Sequence, residues 1–264
     1  MIPRDSYHTV PGTKRFWLDK LLPGWLLSFR IRFLIITFDA RRKCQRKVYT
    51  DEEWIQSSDR MLHLFEGCGG RFHITGMENI RKCRKPAIFV SNHMSTLETM
   101  VFPGLIAPVT RVTFVVKEPL VKSWIFGPVM RSRNPIVVSR ENSRNDLNEV
   151  LTKGHQLLKE GISIVIFPQH TRRSDFVPAE FNSLAVKLAA REKVPVVPVA
   201  IKTDFWKNGK HVRELGGLER SRPIYMHFGE PMEIAGNGKE ENQQIIRFIS
   251  EHLQAWFSLP GSRS

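Results

Sequence analysis

The chain has 264 residues, with 40 Lys and Arg against 26 Asp and Glu for a formal charge of +14. That length supports one large domain, and 41% hydrophobic with 25% charged residues exclude both a disordered chain and a polytopic membrane protein. So large a cationic excess implies an anionic partner: nucleic acid, an anionic membrane or a phosphorylated substrate.

The charge is concentrated at the start. Residues 1–50 hold eleven Lys or Arg and three acids (Asp5, Asp19 and Asp39), a net +8 in the first fifth of the chain. Large apolar residues are interleaved with them, among them Phe16, Trp17, Leu21, Leu22, Trp25, Phe29, Ile31, Phe33 and Ile35. A nucleic-acid arm is basic and polar, whereas basic residues laced with Trp, Phe and Leu read as an interfacial membrane segment. A terminal helix packed on the domain is the alternative. The apolar stretch from Leu21 to Phe38 carries Pro23 and Gly24 near its start and Arg30 and Arg32 at its middle. Two arginines at mid-span cost about 2.5–3.5 kcal/mol each, so the segment is expected to lie on a membrane rather than cross it. No small-residue cleavage site follows, which argues against a secretory signal. The expected organisation is a basic amphipathic membrane-association segment over 1–50 and a domain over 51–264. The expected place is the cytoplasmic face of a membrane, peripheral or monotopic, with anionic lipid as partner and no nucleic acid. Cys44, Cys68 and Cys83 are odd in number and lack metal-ligand spacing, which fits free thiols in a reducing setting.

Residues 51–66 read as a helix that ends at the Gly67–Gly70 region. Short β-branched runs then alternate with helical patterns. Strands are predicted at Ala87–Ser91, Val112–Lys117, Ile136–Ser139, Ile162–Phe167, Val196–Ile201 and Ile224–Phe228, and helices near Thr96–Leu105, Arg144–Glu160, Asn182–Glu192 and Glu240–Trp256. Runs such as ISIVIF and VPVVPVAI are apolar at nearly every position, as strands buried on both faces must be. The fold class is therefore α/β, a layered domain with a largely parallel or mixed sheet flanked by helices.

The stretch AIFVSNHMSTLETM places Asn92 and His93 on a turn after a buried strand, before a helix that starts near Ser95. Active sites of α/β folds collect at the C-terminal ends of strands. A histidine there can take a proton from a hydroxyl near neutral pH, and a carboxylate on its other ring nitrogen fixes the tautomer. Glu98 is the candidate carboxylate. Residues five apart lie about 140° apart on a helix, so the pair forms only if His93 sits on the turn and Glu98 reaches back to it. Ser95-x-x-Glu98 is also a capping-box pattern, which accounts for both residues without chemistry.

Three further blocks stand downstream: Arg140 at the end of RNPIVVSR, FPQHTRR at Phe167–Arg173, and VPVVPVAI at Val194–Ile201. In order and spacing the four blocks resemble the motifs of the glycerolipid acyltransferase superfamily, which includes the lysophosphatidic acid acyltransferases: N-H-x4-D, G-x-I-x-I-x-R, F-P-E-G-T-R-S and a proline-containing apolar strand. The resemblance spans Pro86 to Ile201. It implies transfer of a fatty acyl chain from acyl-CoA or acyl carrier protein to a hydroxyl of a lysophospholipid such as 1-acylglycerol-3-phosphate. By the same resemblance His93 deprotonates the acceptor, Glu98 orients it, and Arg140 and Arg172 hold the acceptor phosphate, with Gln169 and Thr171 beside them. An arginine fork suits a phosphate. No metal, cofactor or acyl-enzyme is required, because the thioester is already activated. The chain departs from the pattern at Glu98 for Asp, at Gln169 and His170 for Glu-Gly, and at Asn134 and Pro135 in the second motif. Glu98 and Gln169 keep open a lipid A-type or other specialised lyso-lipid acyltransferase; the alternative of another class is a non-catalytic membrane or nucleic-acid binding protein on the same fold.

Overall fold

The computed structural model describes residues 5–21, 26–83, 85–139, 141–169, 171–209 and 216–259. A short strand β1 (Tyr7–His8) is followed by helices α1 (Trp17–Leu21), α2 (Leu27–Gln45) and α3 (Asp51–Gly67). Next come β2 (Phe72–Thr75), α4 (Glu78–Lys82), β3 (Ile88–Ser91), α5 (Leu97–Ile106), β4 (Val112–Lys117), α6 (Glu118–Lys122) and α7 (Gly127–Ser132). The chain continues through β5 (Ile136–Val138), α8 (Ser143–Lys159), β6 (Ser163–Ile166), α9 (Leu184–Glu192), β7 (Val196–Lys202), β8 (Ile224–Phe228) and α10 (Lys239–Ser258). The predicted strands and longer helices are all present, with bounds shifted by a residue or two.

The strands form one mixed sheet in the order β1-β2-β8-β7-β3-β6-β4-β5. The five strands from β7 to β5 are mutually parallel, whereas β8 runs antiparallel to β7 and parallel to β2. Period-two alternation sends the side chains of each strand to two cores. Phe89, Val165, Val197 and Val199 face α2, α3 and α5, while Ile88, Val90, Ile164 and Val196 face α8, α9 and α10. Pro198 is tolerated inside β7 because it falls between the Val196–Met232 bridge and the β8 ladder, which begins at Val199. The Pro198 carbonyl still accepts from Gly229 N at 2.8 Å, so the proline removes only the N–H half of one rung at the end of the ladder.

Elements absent from the sequence prediction have short or mixed signals. The strand β2 alternates Phe72 and Ile74 with His73 and Thr75, and β1 is only two residues long. Helices α6 and α7 each carry a proline in the first turn and run for only five and six residues.

The boundary expected at residue 50 is not a boundary in packing. The strand β1 pairs with β2, and α2 buries Phe29, Phe33 and Ile36 in the core that α3 and α5 share. The Phe29 ring lies 5.1 Å from Trp206 and 5.7 Å from Phe65. The opposite face of α2 exposes Leu27, Ile31, Leu34, Ile35 and Phe38, each at least 40% accessible. Both faces of this helix are thus apolar, and only one is covered. Among the described residues no helix is long and apolar enough to cross a membrane. Because Phe29 belongs to the core, Phe29→Ala is expected to cost about 3–5 kcal/mol in urea unfolding. An unchanged unfolding midpoint would mean that α2 is an arm independent of the domain.

Candidate active site

Strand β3 lies inside the parallel set, flanked by β7 and β6, and the site forms where these three strands end. Its level is set by Asn92, the first residue after β3. The Asn92 Nδ2 donates to Ile201 O at 2.8 Å, and Ile201 N donates to Asn92 Oδ1 at 2.9 Å. A side-chain amide thus stands in for one ladder rung and ties the turn to β7.

His93 is held through its backbone by the loop after β6. Its N–H donates to Gln169 Oε1 at 2.7 Å, and its carbonyl accepts from Arg173 N at 2.9 Å. The imidazole stacks on Phe167 with ring centroids 4.2 Å apart, and Phe167 in turn stacks on Phe102 and Phe114. The ring is therefore fixed in plane as well as in place, with 17% of its side chain exposed.

Glu98 sits in the first turn of α5 with no exposed surface. Its Oε1 accepts from His93 Nδ1 at 2.9 Å, Met94 N at 2.8 Å and Ser95 N at 2.9 Å. Its Oε2 takes the hydroxyls of Ser95 at 2.9 Å and Thr203 at 2.6 Å. Burial alone pushes this carboxyl up, but the hydrogen bond and charge of His93, the Thr203 hydroxyl and the Ser95 amide outweigh it and hold the group below the ordinary carboxylate range. An ionised carboxylate only accepts, so His93 Nδ1 must carry the hydrogen and Nε2 the lone pair. The two interpretations left open by the sequence describe one atom: Oε1 takes the Ser95 N–H, as a capping box does, and the histidine as well.

The other expected site residues divide. Gln169 stands beside His93, with its oxygen on the His93 backbone. Arg172 Nη1 donates to the Thr96 hydroxyl and ties the loop after β6 to the start of α5. The Thr171 hydroxyl is buried and has no hydrogen-bond partner among the described residues. Arg140 and His170 lie outside the described residues. Sequence reasoning missed Asn92, Phe167, Ser95 and Thr203 as parts of the site. Thr203 in particular lies 105 positions from Glu98, at the end of a strand whose apolar run gave no hint of a polar task.

The acyltransferase family model matches residues 71–202, half of the chain, and so includes every strand from β2 to β7 together with His93, Glu98 and Gln169. A Pseudomonas aeruginosa protein named "1-acyl-sn-glycerol-3-phosphate acyltransferase" is 25% identical over 94% of this chain and 83% of its own. A Mycoplasma pneumoniae protein named "Probable 1-acyl-sn-glycerol-3-phosphate acyltransferase" is 30% identical over 75% of this chain and 76% of its own. The crystal structure of a 1-acyl-sn-glycerophosphate acyltransferase from Thermotoga maritima superposes with a TM-score of 0.62 over 91% of this chain and 93% of that one; at 22% identity the likeness is one of fold.

Glutamine in place of Glu98 keeps the length but sets an amide nitrogen among donors, so Glu98→Gln is expected to cost about 1–3 kcal/mol of stability at neutral pH. The carboxyl has a lowered folded pKa, so its contribution is complete above the unfolded value and is lost as pH falls through the folded one. Urea midpoints of wild type and Glu98→Gln should therefore converge on acidification. A gap independent of pH would show that Glu98 is not ionised in the fold.

Proposed function

The chain belongs to the acyltransferase family, and we propose that it moves a fatty acyl chain from an acyl thioester to a hydroxyl of a lysophospholipid, with His93 as the general base. The observation that carries this reading is the Nδ1–Oε1 contact of 2.9 Å between His93 and a fully buried Glu98 at the end of β3. With Nδ1 engaged, Nε2 accepts the proton of the acceptor hydroxyl. The oxygen then attacks the thioester carbon, the tetrahedral intermediate collapses, and the carbon–sulfur bond breaks. The imidazolium returns its proton to the departing thiolate, so the products are the acylated lipid and a free thiol. Glu98 stabilises the imidazolium between the two transfers.

The acceptor we propose is 1-acylglycerol-3-phosphate, and the donor acyl-CoA or acyl carrier protein. The names of the relatives and the chain's cationic excess support a phosphate-bearing acceptor. Arg172 and Arg140 are the proposed phosphate forks, with the Thr171 hydroxyl as a further proposed contact. Gln169 holds the His93 backbone, as a glutamate oxygen at that position also would. Its departure from the family pattern therefore does not by itself favour another acceptor.

The site works at a lipid surface in this reading. The uncovered face of α2 is a stripe of large apolar side chains, extended by Trp124, whose ring meets Phe38 at 5.9 Å and Arg41 at 4.4 Å. An apolar stripe rimmed by cations suits the interface of an anionic bilayer, where each Lys or Arg contributes about 1 kcal/mol.

His93→Ala should leave the fold intact and lower transfer to a lysophospholipid panel by about 10²–10⁴-fold, with products identified by mass. Turnover that survives in the folded variant would refute the mechanism. Replacing Ile31 and Ile35 together with Asp should abolish co-sedimentation with anionic vesicles and leave transfer from a short, water-soluble thioester in place. Wild-type binding should weaken as salt rises. Vesicle binding by the double variant equal to wild type would place the lipid contact elsewhere.

A further inference from the structure

Glutamate has one more rotatable bond than the aspartate of the family pattern, so a glutamate used to aim a histidine needs more to fix its rotamer. Two hydroxyls meet that need. Thr203 Oγ1 and Ser95 Oγ lie 2.6 Å and 2.9 Å from Glu98 Oε2 and 3.1 Å from each other. Both residues are buried, and Ser95 Oγ also accepts the Leu97 N–H at the start of α5.

Thr203 is itself held from both sides. Two residues earlier, Ile201 is paired through its backbone N–H and C=O with Asn92. One residue later, the Asp204 carboxylate takes Lys202 Nζ at 3.0 Å and Arg222 Nη1 at 2.9 Å. Lys202 is fully buried and Asp204 nearly so. A buried ion cluster adds little net stability, and its effect here is on geometry: it ties the segment after β7 to that preceding β8. Two residues further on, Trp206 is packed among Phe29, Phe33 and Phe65. The backbone that carries the Thr203 hydroxyl is anchored far more heavily than an ordinary strand end.

We propose that Thr203 is a positioning residue for acyl transfer: with Ser95 it clamps Glu98 Oε2, which leaves Oε1 on His93 Nδ1 and turns Nε2 toward the reacting hydroxyl. The proposal rests on the assignment of His93 as general base. Thr203 acts through Glu98 and His93 and touches no substrate, so its removal lowers kcat and spares the acceptor KM.

Four full-length variants test this: Thr203→Val, Thr203→Ser, Glu98→Gln and the double variant Thr203→Val/Glu98→Gln. Thr203→Val, which keeps the shape and removes the hydroxyl, should lower kcat by about tenfold or more while the acceptor KM moves by less than about twofold. Thr203→Ser should restore kcat to within about threefold of wild type, and Thr203→Val should cost less than about twofold when added to Glu98→Gln. A folded Thr203→Val with wild-type kcat, a Thr203→Ser as impaired as the valine, or an undiminished penalty in the Glu98→Gln background each overturns the clamp. Should Thr203→Val not fold, Ser95→Ala removes the second hydroxyl from the same oxygen; a loss confined to kcat supports the clamp, and an unchanged kcat overturns it. His93→Ala in the same assay separates the two levels. If it is inactive while Thr203→Val is unimpaired, only the clamp fails; if it remains active, the general-base reading fails first.

Discussion

An ionised carboxylate with no exposed surface loses hydration worth several kcal/mol, and a protein keeps it only by surrounding it with donors. Glu98 is met by the imidazole, two amides of the turn after β3 and two hydroxyls, one of them brought from the end of β7. Meeting that demand fixes much of the surrounding architecture. The ends of β3 and β7 must stand level, which the parallel register Ser91↔Val199 and the Asn92–Ile201 pair bring about. On the other flank, β6 must deliver Phe167 under the imidazole and Gln169 to its backbone. The strand order that looks arbitrary along the chain is the one that gathers these groups.

The N-terminal segment joins this architecture to its surroundings. Helix α2 presses Phe29 and Phe33 against Trp206, three residues beyond Thr203, while its other face remains uncovered. One helix therefore buttresses the segment that carries Thr203 and also presents the surface we assign to lipid. That arrangement suits the proposed transfer at a bilayer, because the proposed docking surface and the turn that carries His93 belong to the same packed unit.

How much of this could be read in the sequence depended on where the controlling interaction lay. The strands β6 and β7 are buried on both faces, so their side chains form apolar runs visible without the fold. The strand β2 hides because His73 and Thr75 interrupt it, and β1 because two residues carry no period. His93 and Glu98 were legible because both roles of Glu98 are local. Thr203, Gln169 and Asn92 act across strands, and their tasks exist only once β3, β6 and β7 are in register. The N-terminal segment was half legible. Composition marked it as apolar and basic, but a helix apolar on both faces does not reveal which face the protein covers.

The central claim concerns one proton: Glu98 holds the hydrogen of His93 on Nδ1, and so leaves Nε2 as the base. Nitrogen-15 NMR of selectively labelled histidine in the full-length protein at neutral pH reads that proton directly. The account predicts that His93 Nδ1 resonates as a protonated, pyrrole-type nitrogen and Nε2 as a pyridine-type one, with the preference weakened in Glu98→Gln. A His93 that carries its hydrogen on Nε2 in the wild-type protein would contradict it.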